Sequence, residues 1–193
     1  MSHRVVRGSF ALAVVLAVLA TGCSKGTTTA QAPKGVAAAD YVSGVCGAIS
    51  QWEDTVQTLA SGLTTQLQTA ASLDAAKAEF VSYVDQNVTA VDTMITKVKA
   101  VGDPAVADGA HIQSEVVAAL QQVRTSFADA KTKAEQIDTS SPTAFSNGVT
   151  DVSNTLEQEL SGLGDPLSDV TNQELEGAAN ADATCQKIEN PPA

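Results

Sequence analysis

The sequence predicts an all-α protein: an antiparallel, up-and-down four-helix bundle with a broken fourth leg, closed by a Cys46–Cys185 disulfide. Three observations carry this expectation. From Asp40 onward, apolar residues recur at spacings of three and four, the period of helices that bury one face. No stretch alternates apolar and polar residues as a half-buried strand does. Short turns rich in Gly, Asp, Ser and Pro separate the long amphipathic segments, which favours antiparallel neighbours.

The first segment places Val42, Val45, Ile49, Trp52, Val56, Leu59 and Leu63 on one seam. Ser72 and Asp74 can cap the second, whose seam is Phe80, Val84, Asn87, Val91, Met94, Val98 and Val101. Val101-Gly102-Asp103-Pro104 then supplies a Gly just past a helix end, a capping Asp and a Pro that tolerates a first turn. With Asp108-Gly109 following, the third helix should start near Ala110 and present Ile112, Val116, Ala119, Val123, Phe127, Ala130, Ala134 and Ile137. Ser140-Ser141-Pro142 marks the next turn. The fourth leg carries Phe145, Val149, Val152, Leu156, Leu160 and Leu163, then a weaker Leu175, Ala178, Ala181 and Cys185. A second Gly-Asp-Pro at Gly164–Pro166 interrupts it.

The cysteines test the topology. Cys46 lies near the start of the first helix and Cys185 near the end of the chain. These ends meet in a four-legged bundle if the last leg runs from about Pro142 to Ile188 with a break around Gly162–Pro166. A full fifth helix turning back after Pro166 would put them at opposite ends. Gly44 and Gly47 flank Cys46, and a helical glycine costs about 1 kcal/mol relative to Ala. Close backbone approach around the disulfide accounts for them; a frayed helix start is the alternative.

The N-terminus has a separate character. Arg4 and Arg7 precede an 11-residue apolar run, Phe10–Ala20. That is too short for a membrane span, which needs about 20 residues, and it fits a secretory leader. Residues 1–22 are therefore read as leader, 23–38 as a lipidated flexible tether, 39–189 as the bundle domain and 190–193 as a C-terminal tail. The fifteen residues after Cys23, 24–38, with this small, polar composition would reach roughly 20 Å.

Leu19-Ala20-Thr21-Gly22-Cys23 resembles the lipobox of bacterial lipoproteins, in which the cysteine receives a diacylglyceryl group. The resemblance implies cleavage after Gly22 and Cys23 as the lipidated first residue, anchored to the outer face of the cell membrane. It departs from the usual pattern at Ala20, where Leu or Val is customary. Cleavage after Ala20, leaving a free thiol, is the alternative. Lipidation would also account for the odd cysteine of three, because an unpaired thiol is out of place in an oxidising compartment. More loosely, the Ala- and Val-rich chain resembles small secreted lipoproteins of high-GC Gram-positive bacteria, a resemblance that implies location and shape but no activity.

Loss of Arg4 and Arg7 with the leader takes the formal charge from −11 to −13, and Arg124 is then the single arginine. That argues against nucleic acid, whose binding rests on neutralising phosphates. No GxSxG, Walker, CxxC, HExxH or EF-hand pattern occurs, and His111 is the one histidine outside the leader. Enzymatic activity and a cofactor are accordingly not expected. Asp108, His111 and Glu115 form the most site-like cluster, but one imidazole is a poor metal set; a capping Asp with two solvated side chains is the plainer account. Asn87 interrupts an apolar seam, either fixing register, lining a pocket, or facing solvent if the helix rotates to bury Val88. Trp52 reads as core before recognition. The leading expectation is a lipid-anchored interaction module that docks an envelope protein. The rival is a small-molecule or metal-binding lipoprotein with a site among the helices, near Trp52 or Asn87.

Overall fold

The computed structural model describes residues 34–162 and 172–190. Cys23, the leader, most of the tether and the second Gly-Asp-Pro turn lie outside the described residues. Among those described, all regular elements are helices: α1 (Ala38–Thr69), α2 (Leu73–Val101), α3 (Gly109–Glu135), α4 (Pro142–Gly162), α5 (Gln173–Ala181) and α6 (Ala183–Glu189). The one extended feature is an isolated parallel bridge between Val36 and Pro104. None of these helices is long and apolar enough to cross a membrane.

The helix ends follow the expected chemistry closely. The Ser72 hydroxyl accepts a hydrogen bond from the Ala75 amide at 3.1 Å and caps α2. Gly102 closes α2 with φ of 85°, a left-handed conformation that glycine adopts without steric cost. The Ser141 hydroxyl accepts from the Ala144 amide at 3.1 Å to start α4. The Gly102–Asp108 connection also holds the chain ahead of α1. Val36 donates its amide to the Asp103 carbonyl at 2.8 Å, and its carbonyl accepts from the Ala105 amide at 2.6 Å. Residues just before α1, expected to be tether, are thus fixed to the α2–α3 turn.

The long helices pack in sequence order. α1 packs on α2, α2 on α3, and α3 on α4, which also touches α2; α5 and α6 pack on α1. Along α2 and α3 the register is marked by Arg124 with Asp92 at 2.6 Å, Lys131 with Asp85 at 2.8 Å, and the Lys77 ammonium donating to the Ile137 carbonyl at 3.1 Å. Such exposed pairs add little stability, and their value here is as markers of alignment. The stabilising term is one hydrophobic core running from Tyr41 and Val45 through Val84, Val91, Met94 and Val98 to Val116, Leu120, Phe127 and Ala134.

The Cys46–Cys185 disulfide is formed, with Cα atoms 5.2 Å apart and 139 residues between the cysteines in sequence. The two glycines beside Cys46 do not serve it as expected. A Cβ on Gly44 would come within 2.7 Å of Val101, so this glycine permits the approach of α1 to α2; a Cβ on Gly47 would meet nothing within 4 Å. Nor is the helix start frayed there, since α1 begins at Ala38.

One further break was not anticipated. Asp182 separates α5 from α6, its carboxylate accepting from the Thr184 amide at 2.8 Å and the Cys185 amide at 3.1 Å. Those bonds hold the Asp182 carboxyl below the usual carboxylate range. They also fix the backbone of Cys185 itself. The seam of α1 departs from expectation in its second half: Val56, Leu59 and Leu63 are only half-buried, as is Leu67 beyond them, because α4 makes no contact with α1 among the described residues.

Candidate functional site

The packing order leaves a gap. α1 and α3 each pack on α2, and α6 packs on α1, but among the described residues α3 makes no close backbone contact with α1, α5 or α6. Side chains partly fill the space between them and leave a cavity of about 350 Å³. α1 lines it with Val45, Cys46, Ile49 and Trp52, and α3 with Val116, Leu120 and Val123. Both sets are spaced three and four apart, the signature of one helix face. Met94 of α2, Ala179 of α5, and Cys185, Ile188 and Glu189 of α6 complete the wall. The disulfide is therefore part of the lining, and Glu189 is the one ionisable group in it.

Trp52 is the unusual member. Its indole Nε1 is enclosed and has no hydrogen-bond partner. A buried donor left unpaired costs about 1–3 kcal/mol, and the great majority of such groups are satisfied. Trp52 was expected in the core, and it does pack there, yet it also faces empty space.

A second concavity of about 520 Å³ lies along α1 and α2 and shares Trp52 and Met94 with the first. Its remaining lining is largely polar and already engaged. Thr55 donates to the Gln51 carbonyl at 2.8 Å, Thr93 to the Thr89 carbonyl at 3.0 Å, and Lys97 is hydrogen-bonded to Gln51. That groove is a solvated seam between two helices. The smaller, apolar cavity is the better candidate site.

Asn87 lines neither space. It is fully buried on the α2 seam, while Val88 is half-buried, so the rotated arrangement is excluded. Its Nδ2 donates to the Tyr83 carbonyl at 2.8 Å, and its Oδ1 has no partner. Asp108, His111 and Glu115 do not assemble. His111 and Glu115 stand 3.7 Å apart on an exposed turn, and Asp108, at φ of 57°, makes no side-chain cap bond. Among the described residues, no group of three His, Cys, Asp or Glu side chains is placed to hold a metal ion.

Sequence reasoning missed a buried polar relay near one end of the cavity. The Tyr41 hydroxyl donates to Gln113 Oε1 at 2.7 Å, and Gln113 Nε2 donates to the Val98 carbonyl at 2.8 Å. This ties α1 to α3 and α3 to α2 where α1 and α3 have no direct backbone contact. Tyr41 could have been found as the residue one turn before Val45 on the same seam. Gln113 gives no such signal, because it lies beside the seam residue Ile112 and reads as solvent-facing.

Burial, and secondarily the charge of Asp103, push the Tyr41 phenol up to about 12. The neutral phenol is favoured by the fold, so its stabilisation is complete below pH ~10, the unfolded value, and is lost as pH rises toward 12. Tyr41→Phe should cost about 1–3 kcal/mol near neutral pH by leaving Gln113 Oε1 unpaired. It should also flatten the decline in stability between pH 10 and 12. Urea unfolding across that range tests both; an unchanged alkaline slope in the variant would show that Tyr41 does not set it.

No protein-family model matches the chain, and no curated protein and no solved structure matches it either.

Proposed function

We propose that this is a lipid-anchored extracytoplasmic binding protein whose helical domain takes up a small apolar molecule. The observation that carries the reading is the hydrocarbon-lined cavity of about 350 Å³ among α1, α3 and α6. Ligand cavities of roughly 300–1,000 Å³, mostly apolar and placed between the helices of bundles, are the usual form of such sites. The reading is one of binding without catalysis, since the lining brings no nucleophile to a base. A four-legged arrangement in which α4, α5 and α6 together make one broken fourth leg accompanies it. Packing of α4 on α3 and of α5 and α6 on α1 supports that arrangement, and the gap beside α3 is its consequence.

The anchor rests on Cys23 and its lipobox-like setting. Acylation there would hold the domain at the outer face of the membrane, within reach of molecules leaving or entering the bilayer. A docking module for an envelope protein is the second reading, favoured by the half-covered seam of Val56, Leu59, Leu63 and Leu67 on α1.

Cys23→Ala should release the protein from membranes into the medium. Retention with unchanged detergent partitioning would exclude the lipid assignment. For the cavity, toluene at tenfold excess over its Kd should raise the melting temperature of the purified exported protein by about 3–5 °C, through preferential binding to the folded state. Val116→Phe, which fills the cavity, should abolish the rise. If toluene leaves the unaltered protein's melting temperature where it was, the docking reading gains.

A further inference from the structure

The cavity's lining is graded, and the grading restricts the shape of its occupant. Val116 and Leu120 are buried, Ile49, Val123 and Ile188 are half-buried, and Glu189 is exposed. The lining thus runs from enclosed hydrocarbon to solvent. Inside, it offers an occupant no hydrogen bond. Protein atoms enclose the Trp52 indole N–H and keep it from any occupant. Glu189 stands in water, and the other lining side chains are aliphatic or sulfur-bearing. A polar group carried inside would lose its hydration with nothing to replace it. A molecule with one polar end is therefore accommodated only with that end left in water at the mouth.

The walls also set a direction. Val45 to Trp52 on α1 and Val116 to Val123 on α3 each run about 10 Å along a helix axis, at roughly 1.5 Å per residue. The space is a slot that follows two helices. Its volume of about 350 Å³ holds about a dozen methylenes, each given the roughly 30 Å³ of a liquid water.

We propose that the cavity holds one unbranched alkyl chain of about a dozen carbons, the tail of an amphiphile whose head group stays in water on the Glu189 side. The proposal rests on the ligand-binding reading above and adds the chemical class of the ligand. Two sources carry such a tail: the acyl group proposed on Cys23 of the same chain, and an amphiphile from outside it. The first is within reach. Cys23 and Val36 are thirteen residues apart in sequence, a span of up to about 45 Å. Cys46, in the cavity wall, lies about 12 Å along α1 from its start at Ala38.

The test is a ladder of straight-chain alcohols from 1-hexanol to 1-tetradecanol, with cyclododecanol as the compact counterpart of 1-dodecanol. Equilibrium dialysis measures their binding to the Cys23→Ala chain released to the medium, which carries no acyl group of its own. Affinity should rise about fourfold with each added methylene, the increment for burying one such group, and level off near about twelve carbons. 1-Dodecanol should bind about tenfold more tightly than cyclododecanol, the scale of leaving about two methylenes of the ring outside. Val116→Phe, added to Cys23→Ala, should bring the levelling point down by several carbons; should that variant not fold, the ladder without it still decides. Cyclododecanol bound as tightly as 1-dodecanol, or an affinity that stops rising below about eight carbons, would overturn the alkyl-chain claim while leaving the cavity reading intact. Failure of every alcohol to bind would overturn the cavity reading and this proposal with it. The lipidated chain in nanodiscs, corrected with empty nanodiscs, separates the two sources. Loss of 1-dodecanol binding relative to Cys23→Ala assigns the cavity to the chain's own acyl group, and equal binding assigns it to an amphiphile from outside.

Discussion

The Cys46–Cys185 disulfide is the constraint on which the arrangement depends. It joins the first helix to the last across 139 residues. In the chain-entropy view, closing a loop of that length removes about 5 kcal/mol of freedom from the unfolded state. That is a large fraction of the 5–15 kcal/mol by which ordinary domains are stable. The structural effect is more local. α5 and α6 have nine and seven residues, and isolated helices shorter than about 12–15 residues are marginal in water. What holds them is the disulfide, the buried Leu175, the half-buried Ala178, Ala179 and Ile188, and the Asp182 cap that sets the backbone of Cys185.

The cavity follows from the same constraint. A terminal segment packed equally on α1 and α3 would close the space between them with interdigitated side chains, as bundle cores normally are. Here the covalent tie draws α6 to α1, and α3 is left facing the gap across Val116, Leu120 and Val123. The Tyr41–Gln113–Val98 relay limits how far the helices could shift to close it, since it fixes α1, α2 and α3 to one another through buried hydrogen bonds. Two ties therefore bracket a space lined by apolar side chains such as Ile49, Met94 and Ile188.

Much of the fold was legible because apolar periodicity and turn chemistry are local signals. The α2 seam from Phe80 to Val98 is buried as its spacing implies, and Ser72, Gly102 and Ser141 do the capping and terminating their identities suggest. The disulfide was legible for a different reason: a single long-range assumption, that short turns give antiparallel neighbours, brings the two cysteines together. Interhelical detail was not legible. Gly44 and Gly47 are equivalent as sequence, but only Gly44 faces Val101, which depends on the rotation of α1 against α2. Gln113 is indistinguishable from a surface glutamine until Tyr41 is placed 2.7 Å away. Trp52 was identifiable as a large residue on a seam. Whether it would meet packed atoms or a void depended on α3 and α6 not closing, which no local pattern encodes.

The central claim is that the disulfide holds α5–α6 as one wall of a preformed cavity. Hydrogen exchange on the oxidised and the reduced protein tests it most directly, because local opening of a segment is read residue by residue. The account predicts that reduction strongly accelerates exchange of amides in 173–189 and around Cys46, while those in the buried stretches of α2 and α3 keep most of their protection. Protection across 173–189 that survives reduction unchanged would contradict it, and would mean that packing alone positions the wall.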